Sequence, residues 1–291
     1  MERVLNLPVG VKVRAIDAGS GPTVLLLHGN PDNADEWTSL IDLLADDFRC
    51  VAPDLPGYGR RSHCYTLPTQ YRYTREEQVA FVETLLDCMG IRDKITLVLH
   101  DIGGIMGVPW AARNTDRLHA VIYTNTVAFP RFRWFPLAYR WGRDDLPGRG
   151  LAQVSMAALG WFRGWLFRRV FSRQHPQLSA SEIERFVQDF ALNRVAKETT
   201  LCEFRSITRP DFFNGYDHLL QAIAAAVPTL TVWGERDPYV QDRFAPQLFA
   251  QETILLPHVG HWVPIIAAET LATHIRALHG LPEALQALPM Q

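Results

Sequence analysis

The stretch Ile95-Thr-Leu-Val-Leu-His-Asp101-Ile-Gly-Gly-Ile-Met-Gly107 decides the expected fold. Its apolar first half is typical of a buried strand, and its second half combines small residues with helical spacing. A strand that turns sharply into a helix is the setting of a nucleophile elbow, in which one side chain is lifted above the edge of a sheet. Here that side chain is the carboxylate of Asp101.

A carboxylate at this position narrows the chemistry. Its attack on an ester would give only a labile mixed anhydride, whereas its attack on a tetrahedral carbon with a leaving group gives a stable enzyme ester that water can later cleave. We therefore expect the substrate to be an epoxide or an alkyl halide.

The composition limits the classes of protein to which the chain can belong. The chain has 291 residues, 47% of them hydrophobic and 21% charged, which suffices for one large α/β domain or two smaller ones. A formal net charge of -2 gives no general attraction for nucleic acid. Four scattered cysteines lack the spacing of a metal site, and no leader peptide or long apolar run is recognisable. We expect a cytoplasmic protein without metal, cofactor, nucleic-acid partner or transmembrane segment.

Strand and helix patterns alternate along most of the chain, after two short strands within residues 4–18. This alternation predicts an α/β fold with a mostly parallel, doubly wound sheet. Strands are predicted at residues 23–28, 48–53, 95–100, 118–124, 228–234 and 252–257, and helices at 36–45, 74–89, 102–113 and 264–278.

The alternation stops between residues 128 and 216, where aromatic and Arg-rich helical segments are broken by prolines. We expect an inserted helical cap at 128–216 and a core made of residues 1–127 and 217–291. Nine arginines lie within residues 129–175, namely Arg131, Arg133, Arg140, Arg143, Arg149, Arg163, Arg168, Arg169 and Arg173. They indicate either a solvated basic face or a surface that attracts an anionic substrate or a membrane, the latter through residues 160–171.

Four short motifs follow predicted strands in a fixed order: His28-Gly-Asn-Pro31, His100-Asp-Ile-Gly-Gly104, Gly234-Glu-Arg-Asp-Pro238 and Gly260-His-Trp262. In this order they resemble the α/β-hydrolase superfamily over nearly the whole chain. The aspartate at the elbow is similar to that of epoxide hydrolases and haloalkane dehalogenases. The resemblance implies an α/β-hydrolase fold with an inserted cap.

The resemblance also implies a catalytic triad. Asp101 would be the nucleophile, although an aspartate there also suits a helix N-cap. His261 would activate the water that cleaves the ester, with His258 as the competing histidine. Asp237 would orient His261. Some relatives place this acid after the sixth strand instead, where this chain has the neutral Asn125.

Epoxide hydrolases and haloalkane dehalogenases differ in the residues that bind the leaving group. The backbone N–H groups of Asn30 and Ile102 would bind the developing oxyanion, and the Asn30 amide could reach a leaving group. Haloalkane dehalogenases carry a tryptophan after the nucleophile and fluoroacetate dehalogenases an arginine, whereas this chain has Ile102. Epoxide hydrolases use cap tyrosines as proton donors, which implies Tyr139 and Tyr216, although core packing is an equally good explanation for each.

These observations predict a cofactor-free hydrolase that opens an epoxide to a diol through an Asp101 ester. The alternative is dehalogenation, with a halide site built from Asn30 and a cap tryptophan. A second alternative is a ligand-binding or non-hydrolytic protein on the same scaffold. The expected partner is a small-molecule substrate, apolar or anionic.

Overall fold

A computed structural model describes residues 1–61, 66–130, 132 and 134–281 of the chain. Arg131 and Arg133, two of the nine arginines noted in the sequence, lie outside the described residues.

The described residues contain one eight-stranded sheet in the order β1-β2-β4-β3-β5-β6-β7-β8. Strands β3 to β8 run parallel, and β1 and β2 add an antiparallel edge. The predicted fold class, a mostly parallel α/β sheet, is thereby confirmed. The strands are β1 Glu2–Asn6, β2 Lys12–Ala18, β3 Thr23–Leu27, β4 Arg49–Pro53, β5 Ile95–His100, β6 Leu118–Thr124, β7 Thr229–Gly234 and β8 Glu252–Leu256.

The central strands are buried on both faces, which explains their unbroken apolar runs. In β3, Leu25 and Leu27 belong to the core on one side of the sheet, and Val24 and Leu26 to the core on the other side. Six helices cover these two faces. They are α1 Thr38–Leu44, α2 Arg75–Cys88, α3 Ile102–Arg113, α9 Tyr216–Ala226, α10 Val263–Ile266 and α11 Ala268–Leu278.

Five further helices lie between β6 and α9. They are α4 Pro136–Trp141, α5 Leu146–Ala158, α6 Trp161–Gln174, α7 Ala180–Phe186 and α8 Arg194–Ile207. All five fall within residues 128–216, and we call them the inserted helices. The domain boundaries at 128 and 216 remain a prediction.

Polar contacts attach the inserted helices to the loop that follows β3. Arg185 of α7 forms an ion pair with the buried carboxylate of Asp32. The Asn33 amide donates to Asp189 Oδ2 at 3.2 Å, just beyond α7. The loop that carries Asn30 is therefore held between the sheet and the inserted helices.

Candidate active site

The junction between β5 and α3 is a strained elbow at Asp101. This residue has φ 46° and ψ -120°, a backbone conformation that non-glycine residues rarely adopt. The turn is possible because α3 begins with glycines that pack closely on the sheet. A Cβ on Gly103 would lie 2.3 Å from the Leu27 carbonyl oxygen, and one on Gly104 would lie 1.9 Å from Thr126 Oγ1. The motif places the Asp101 side chain at the carboxyl edge of the sheet.

The Asp101 carboxylate is held by backbone donors. Asn30 N–H donates to Asp101 Oδ1 at 2.8 Å, and the backbone N–H of Ile102 also hydrogen-bonds to this carboxylate. Burial raises the pKa of Asp101, while the neighbouring His261 and His100 and the two backbone donors oppose that shift. The predicted oxyanion donors therefore meet at the predicted nucleophile.

His261 lies between two carboxylates. Its Nδ1 is 2.7 Å from Asp237 Oδ2, and its Nε2 is 3.8 Å from Asp101 Oδ2. Asp237 Oδ1 accepts from the backbone N–H groups of Tyr239 and Val240, at 2.7 and 3.0 Å. Burial raises the pKa of Asp237, but His261 and these donors lower it overall, so the carboxylate is ionised. The structure brings together Asp101, His261 and Asp237 in the arrangement of a triad.

The sequence left Asn125 and His258 open as alternatives to Asp237 and His261, and the structure gives both residues other contacts. Asn125 Nδ2 donates to Asp237 Oδ2 at 2.7 Å, and Asn125 Oδ1 accepts from Gly234 N–H at 2.8 Å. Asn125 therefore orients Asp237. His258 is exposed, with Nδ1 3.1 Å from the Arg236 guanidinium.

A buried ion pair lies beneath the elbow. His100 Nδ1 is 2.7 Å from Glu36 Oε1, and both side chains are fully buried. His100 Nε2 is 3.0 Å from the backbone oxygen of His261, and Gly29 N–H donates to Glu36 Oε2 at 3.1 Å. Although burial lowers the pKa of His100, Glu36 raises it to about 9 overall. The pair joins the loops that carry Asn30 and His261.

Replacing Glu36 by leucine is expected to lower the free energy of unfolding by about 3–5 kcal/mol, because it leaves a buried imidazole without its counter-charge. The folded-state pKa of His100 lies above its ordinary value of 6.5, so this stabilisation is fully present below pH 6.5 and is lost as pH rises through about 9. Urea denaturation of the wild type and the variant from pH 6 to 10 measures the difference in the free energy of unfolding. Glu36→Gln, which keeps the hydrogen-bonding shape, should lower the free energy of unfolding by less. A pH-independent difference would contradict the assignment.

A second polar cluster, not predicted from the sequence, lies on the other side of Asn30. The Asn30 amide donates to the Tyr58 hydroxyl at 2.9 Å and to Thr200 Oγ1 at 3.1 Å. The Tyr58 hydroxyl is 2.6 Å from Glu203 Oε2 and 3.2 Å from Thr200 Oγ1. We call Tyr58, Thr200 and Glu203 the acid cluster. Tyr58 follows β4, whereas Thr200 and Glu203 lie on α8.

Burial keeps both acids of the cluster protonated near neutral pH. It raises the pKa of Glu203 to about 8, and the negative charge of Asp101 adds to this effect. Burial also raises the pKa of the Tyr58 phenol well above its usual value. A neutral carboxylic acid and a phenol therefore lie next to the residue whose backbone holds the Asp101 carboxylate.

The two tyrosines suggested by the sequence lie elsewhere. The Tyr216 hydroxyl donates to the Ile105 carbonyl at 3.0 Å, because Tyr216 begins α9 and packs on α3. Tyr139 is 45% exposed and lines a surface pocket of about 740 Å³ together with Trp134 and Phe213. Within the described residues, neither hydroxyl contacts Asp101.

Within residues 1–61, 66–130, 132 and 134–281, no group of three or more His, Cys, Asp and Glu side chains is arranged to hold a metal ion. No helix in the same part of the chain has the length and apolar character needed to cross a membrane.

Comparison with known proteins agrees with this fold. Residues 22–268 match the family model of the alpha/beta hydrolase fold. A cis-3-alkyl-4-alkyloxetan-2-one decarboxylase of Shewanella oneidensis is 29% identical over 287 residues, covering 92% of this chain and 85% of that protein. Haloalkane dehalogenase 2 of Mycobacterium bovis is 25% identical over 276 residues, which cover 91% of this chain and 90% of that protein. The solved epoxide hydrolase CorEH superposes with a TM-score of 0.74 at 19% identity, over 96% of this chain and 98% of that one. The chain therefore belongs to the α/β-hydrolase family and is an enzyme.

Proposed function

We propose that this hydrolase converts epoxides to diols through an ester on Asp101. The observation that carries the proposal is the acid cluster. An epoxide leaves as an alkoxide, which is a poor leaving group unless it is protonated, and a neutral carboxylic acid and phenol beside the nucleophile supply that proton.

In the first step, Asp101 Oδ2 attacks a ring carbon while Oδ1 stays bound to the N–H group of Asn30. The new C–O bond to Asp101 forms as the ring C–O bond breaks. The departing oxygen takes a proton from the Tyr58 phenol, which takes one from Glu203. The products of this step are an alkyl ester on Asp101 and a Glu203 carboxylate.

In the second step, His261 takes a proton from water, and the resulting hydroxide attacks the carbonyl carbon of the Asp101 ester. The backbone donors of Asn30 and Ile102 bind the oxyanion that forms there. Collapse of this intermediate releases the diol, whose oxygen takes the proton from His261. The proton left on Asp101 returns to Glu203, which restores the resting enzyme.

Dehalogenation needs an N–H donor that binds the departing halide. The residues expected to supply it, at position 102, at Asn30 and among the tryptophans of residues 128–216, do not offer a free buried donor. Ile102 is aliphatic, and the Asn30 amide already donates to two hydroxyl oxygens. The indole N–H groups of Trp134 and Trp141 donate to Ile207 O and Ser155 Oγ. The two other tryptophans of residues 128–216, Trp161 and Trp165, are more than half exposed.

Oxetanone opening is the second candidate, because relatives with that activity match almost the whole chain. Attack of Asp101 on the tetrahedral ring carbon that carries the oxygen releases a carboxylate, which needs no proton. The acid cluster therefore favours the epoxide. A matched panel of a 1,2-epoxyalkane, a 3,4-dialkyloxetan-2-one and a 1-bromoalkane separates the three reactions.

Replacing Glu203 by glutamine should slow epoxide opening by about two to three orders of magnitude, because glutamine cannot resupply the proton. The wild-type opening rate should fall as pH rises through about 8, where Glu203 ionises, and the variant should lose this limb. Among the described residues, the titratable groups that interact with Glu203 include Asp101, Tyr58, Tyr71 and Tyr73. Single-turnover ester formation, followed by intact-protein mass in the His261→Gln background, isolates this step.

Tyr71→Phe is the matched control, because it removes a buried phenol that has no hydrogen-bond partner in the described part of the chain. Its opening rate should equal that of the parent. An unchanged rate in both Glu203→Gln and Tyr58→Phe would contradict the acid cluster. A large loss in Tyr139→Phe or Tyr216→Phe would restore the donors suggested by the sequence. Faster ester formation from the bromide or the oxetanone would assign the enzyme to that reaction.

A further inference from the structure

Helices α5 and α6 expose a group of large apolar side chains to solvent. We call this group the apolar face. It consists of Leu146, Leu151, Val154, Trp161, Phe162, Trp165, Leu166 and Val170, which are between 42% and 85% exposed. Several large apolar side chains exposed on neighbouring helices indicate an interaction site more strongly than isolated exposed residues do.

Helical spacing explains the exposure of several of these side chains. In α6, Leu166 and Val170 are four residues apart and exposed, whereas Phe167 and Phe171 are buried. In α5, Leu151 and Val154 are exposed, while Ala152 and Met156 are buried. Each helix therefore has one apolar side that packs on the protein and a second that has no partner within the described residues.

The backbone at the start of α6 turns one aromatic side chain outward. Phe162, Arg163 and Gly164 all have left-handed φ values, of 51°, 57° and 75°. Such values are unfavourable for the two non-glycine residues. This conformation leaves the Phe162 ring 82% exposed, so no burial within the described chain compensates the strain.

The same surface is basic. Residues 146–174 contain five arginines and no aspartate or glutamate, in a chain whose formal net charge is -2. Arg168 pairs with Glu184 of α7. Arg163, Arg169 and Arg173 are exposed and have no ion pair in the described residues, and Arg169 stacks over Trp165 at 5.6 Å. Exposed positive charge and exposed apolar side chains thus lie along the same helix, α6.

We propose that the apolar face docks the enzyme on the surface of an anionic lipid bilayer. Tryptophan, phenylalanine and aliphatic side chains enter the boundary between headgroups and acyl chains, and the arginines bind lipid phosphates. The interleaving of arginine with tryptophan along α6 matches this occupant, because a bilayer offers acyl chains and negative charge within one layer. The helices lie on the surface rather than across the bilayer. This inference does not depend on which substrate the enzyme uses.

Sedimentation of the full chain with vesicles tests the proposal. Binding is expected with 30% phosphatidylglycerol in phosphatidylcholine, and it should weaken strongly between 50 and 500 mM salt. Arg169→Gln and Arg173→Gln should each lower the partition coefficient about fivefold, which corresponds to ~1 kcal/mol per basic residue near the surface. Phe162→Ser should lower it at least about tenfold.

Phe249→Ser is the matched control, because Phe249 is also exposed and has a left-handed φ of 54°. It should bind vesicles as the parent does. Three outcomes would overturn the proposal: no sedimentation with anionic vesicles at low salt, equal binding to pure phosphatidylcholine, or concentration-dependent dimers that Phe162→Ser abolishes. The last result would assign the face to a second copy of the chain.

Discussion

Replacing Asp101 by asparagine is expected to abolish turnover while the fold is retained. The amide has the same shape and can still accept from the Asn30 N–H, so the elbow keeps its contacts. It is a far weaker nucleophile than a carboxylate, so no ester forms. By analogy with removing the nucleophile of other hydrolases, kcat should fall by about four to six orders of magnitude. Steady-state epoxide hydrolysis measures this loss, and thermal unfolding checks the fold.

Asp116→Asn is the control, because it makes the same chemical change at an exposed aspartate outside the site. A single turnover of the wild type in heavy-oxygen water tests the route itself. The label should enter the Asp101 carboxylate, because hydroxide attacks its carbonyl carbon and the diol keeps the original aspartate oxygen. Label found only in the diol after that turnover would establish direct attack by water and would end the nucleophile hypothesis.

The strands and the helices α2 and α3 were predictable because their side-chain patterns are local. The strand Ile95–His100 and the helix Ile102–Arg113 have the predicted bounds, since a fully buried strand and the helix after it leave unbroken apolar runs. The helix predicted at 36–45 is instead a 3-10 turn, Ala34–Trp37, followed by a shorter α-helix, Thr38–Leu44. The Asn33 side chain accepts from Asp35 N–H and starts a 3-10 turn, so the α-helix begins only at Thr38.

The meeting of Asp101, Asp237 and His261 is what the resemblance to the α/β-hydrolase superfamily implied. It agrees with the topology, because each residue comes just after a parallel strand and the carboxyl ends of such strands converge at one edge of the sheet. Pairwise distances do not follow from this rule. The role of Asn125 was missed because a neutral side chain at the end of β6 gives no sign that it orients Asp237.

The acid cluster could not be predicted, because its two acids are 145 positions apart in the chain. Their contact depends on how α8 lies over the sheet, and periodicity does not determine that. Two features of the sequence are partial indications of this cluster. Tyr58 follows a parallel strand, and Glu203 is a charged residue on the otherwise apolar side of α8, beside Thr200. The prediction of Tyr216 as a proton donor rests on its place within the inserted segment, but Tyr216 begins a core helix.

Replacing His261 by glutamine is expected to trap the ester. Glutamine cannot take a proton from water, so ester hydrolysis should slow by about two to four orders of magnitude. Asp101 keeps its hydrogen bond from the Asn30 N–H, and the acid cluster keeps its contacts, so ring opening continues. Intact-protein mass after mixing with an epoxide should rise by the mass of one substrate, and peptide mapping should locate that increase at Asp101.

His258→Gln provides the matched control, since His258 is exposed and contacts the Arg236 guanidinium rather than Asp237. Its turnover should stay close to that of the wild type. The two steps depend on different atoms: ring opening uses Asp101 Oδ2 and a proton from the acid cluster, whereas hydrolysis uses His261 Nε2, 3.8 Å from Asp101 Oδ2. If His261→Gln slowed ester formation and ester hydrolysis equally, His261 would be acting on both steps and this division would be wrong. A stable adduct on Asp101 would identify both the nucleophile and the electrophile it attacks.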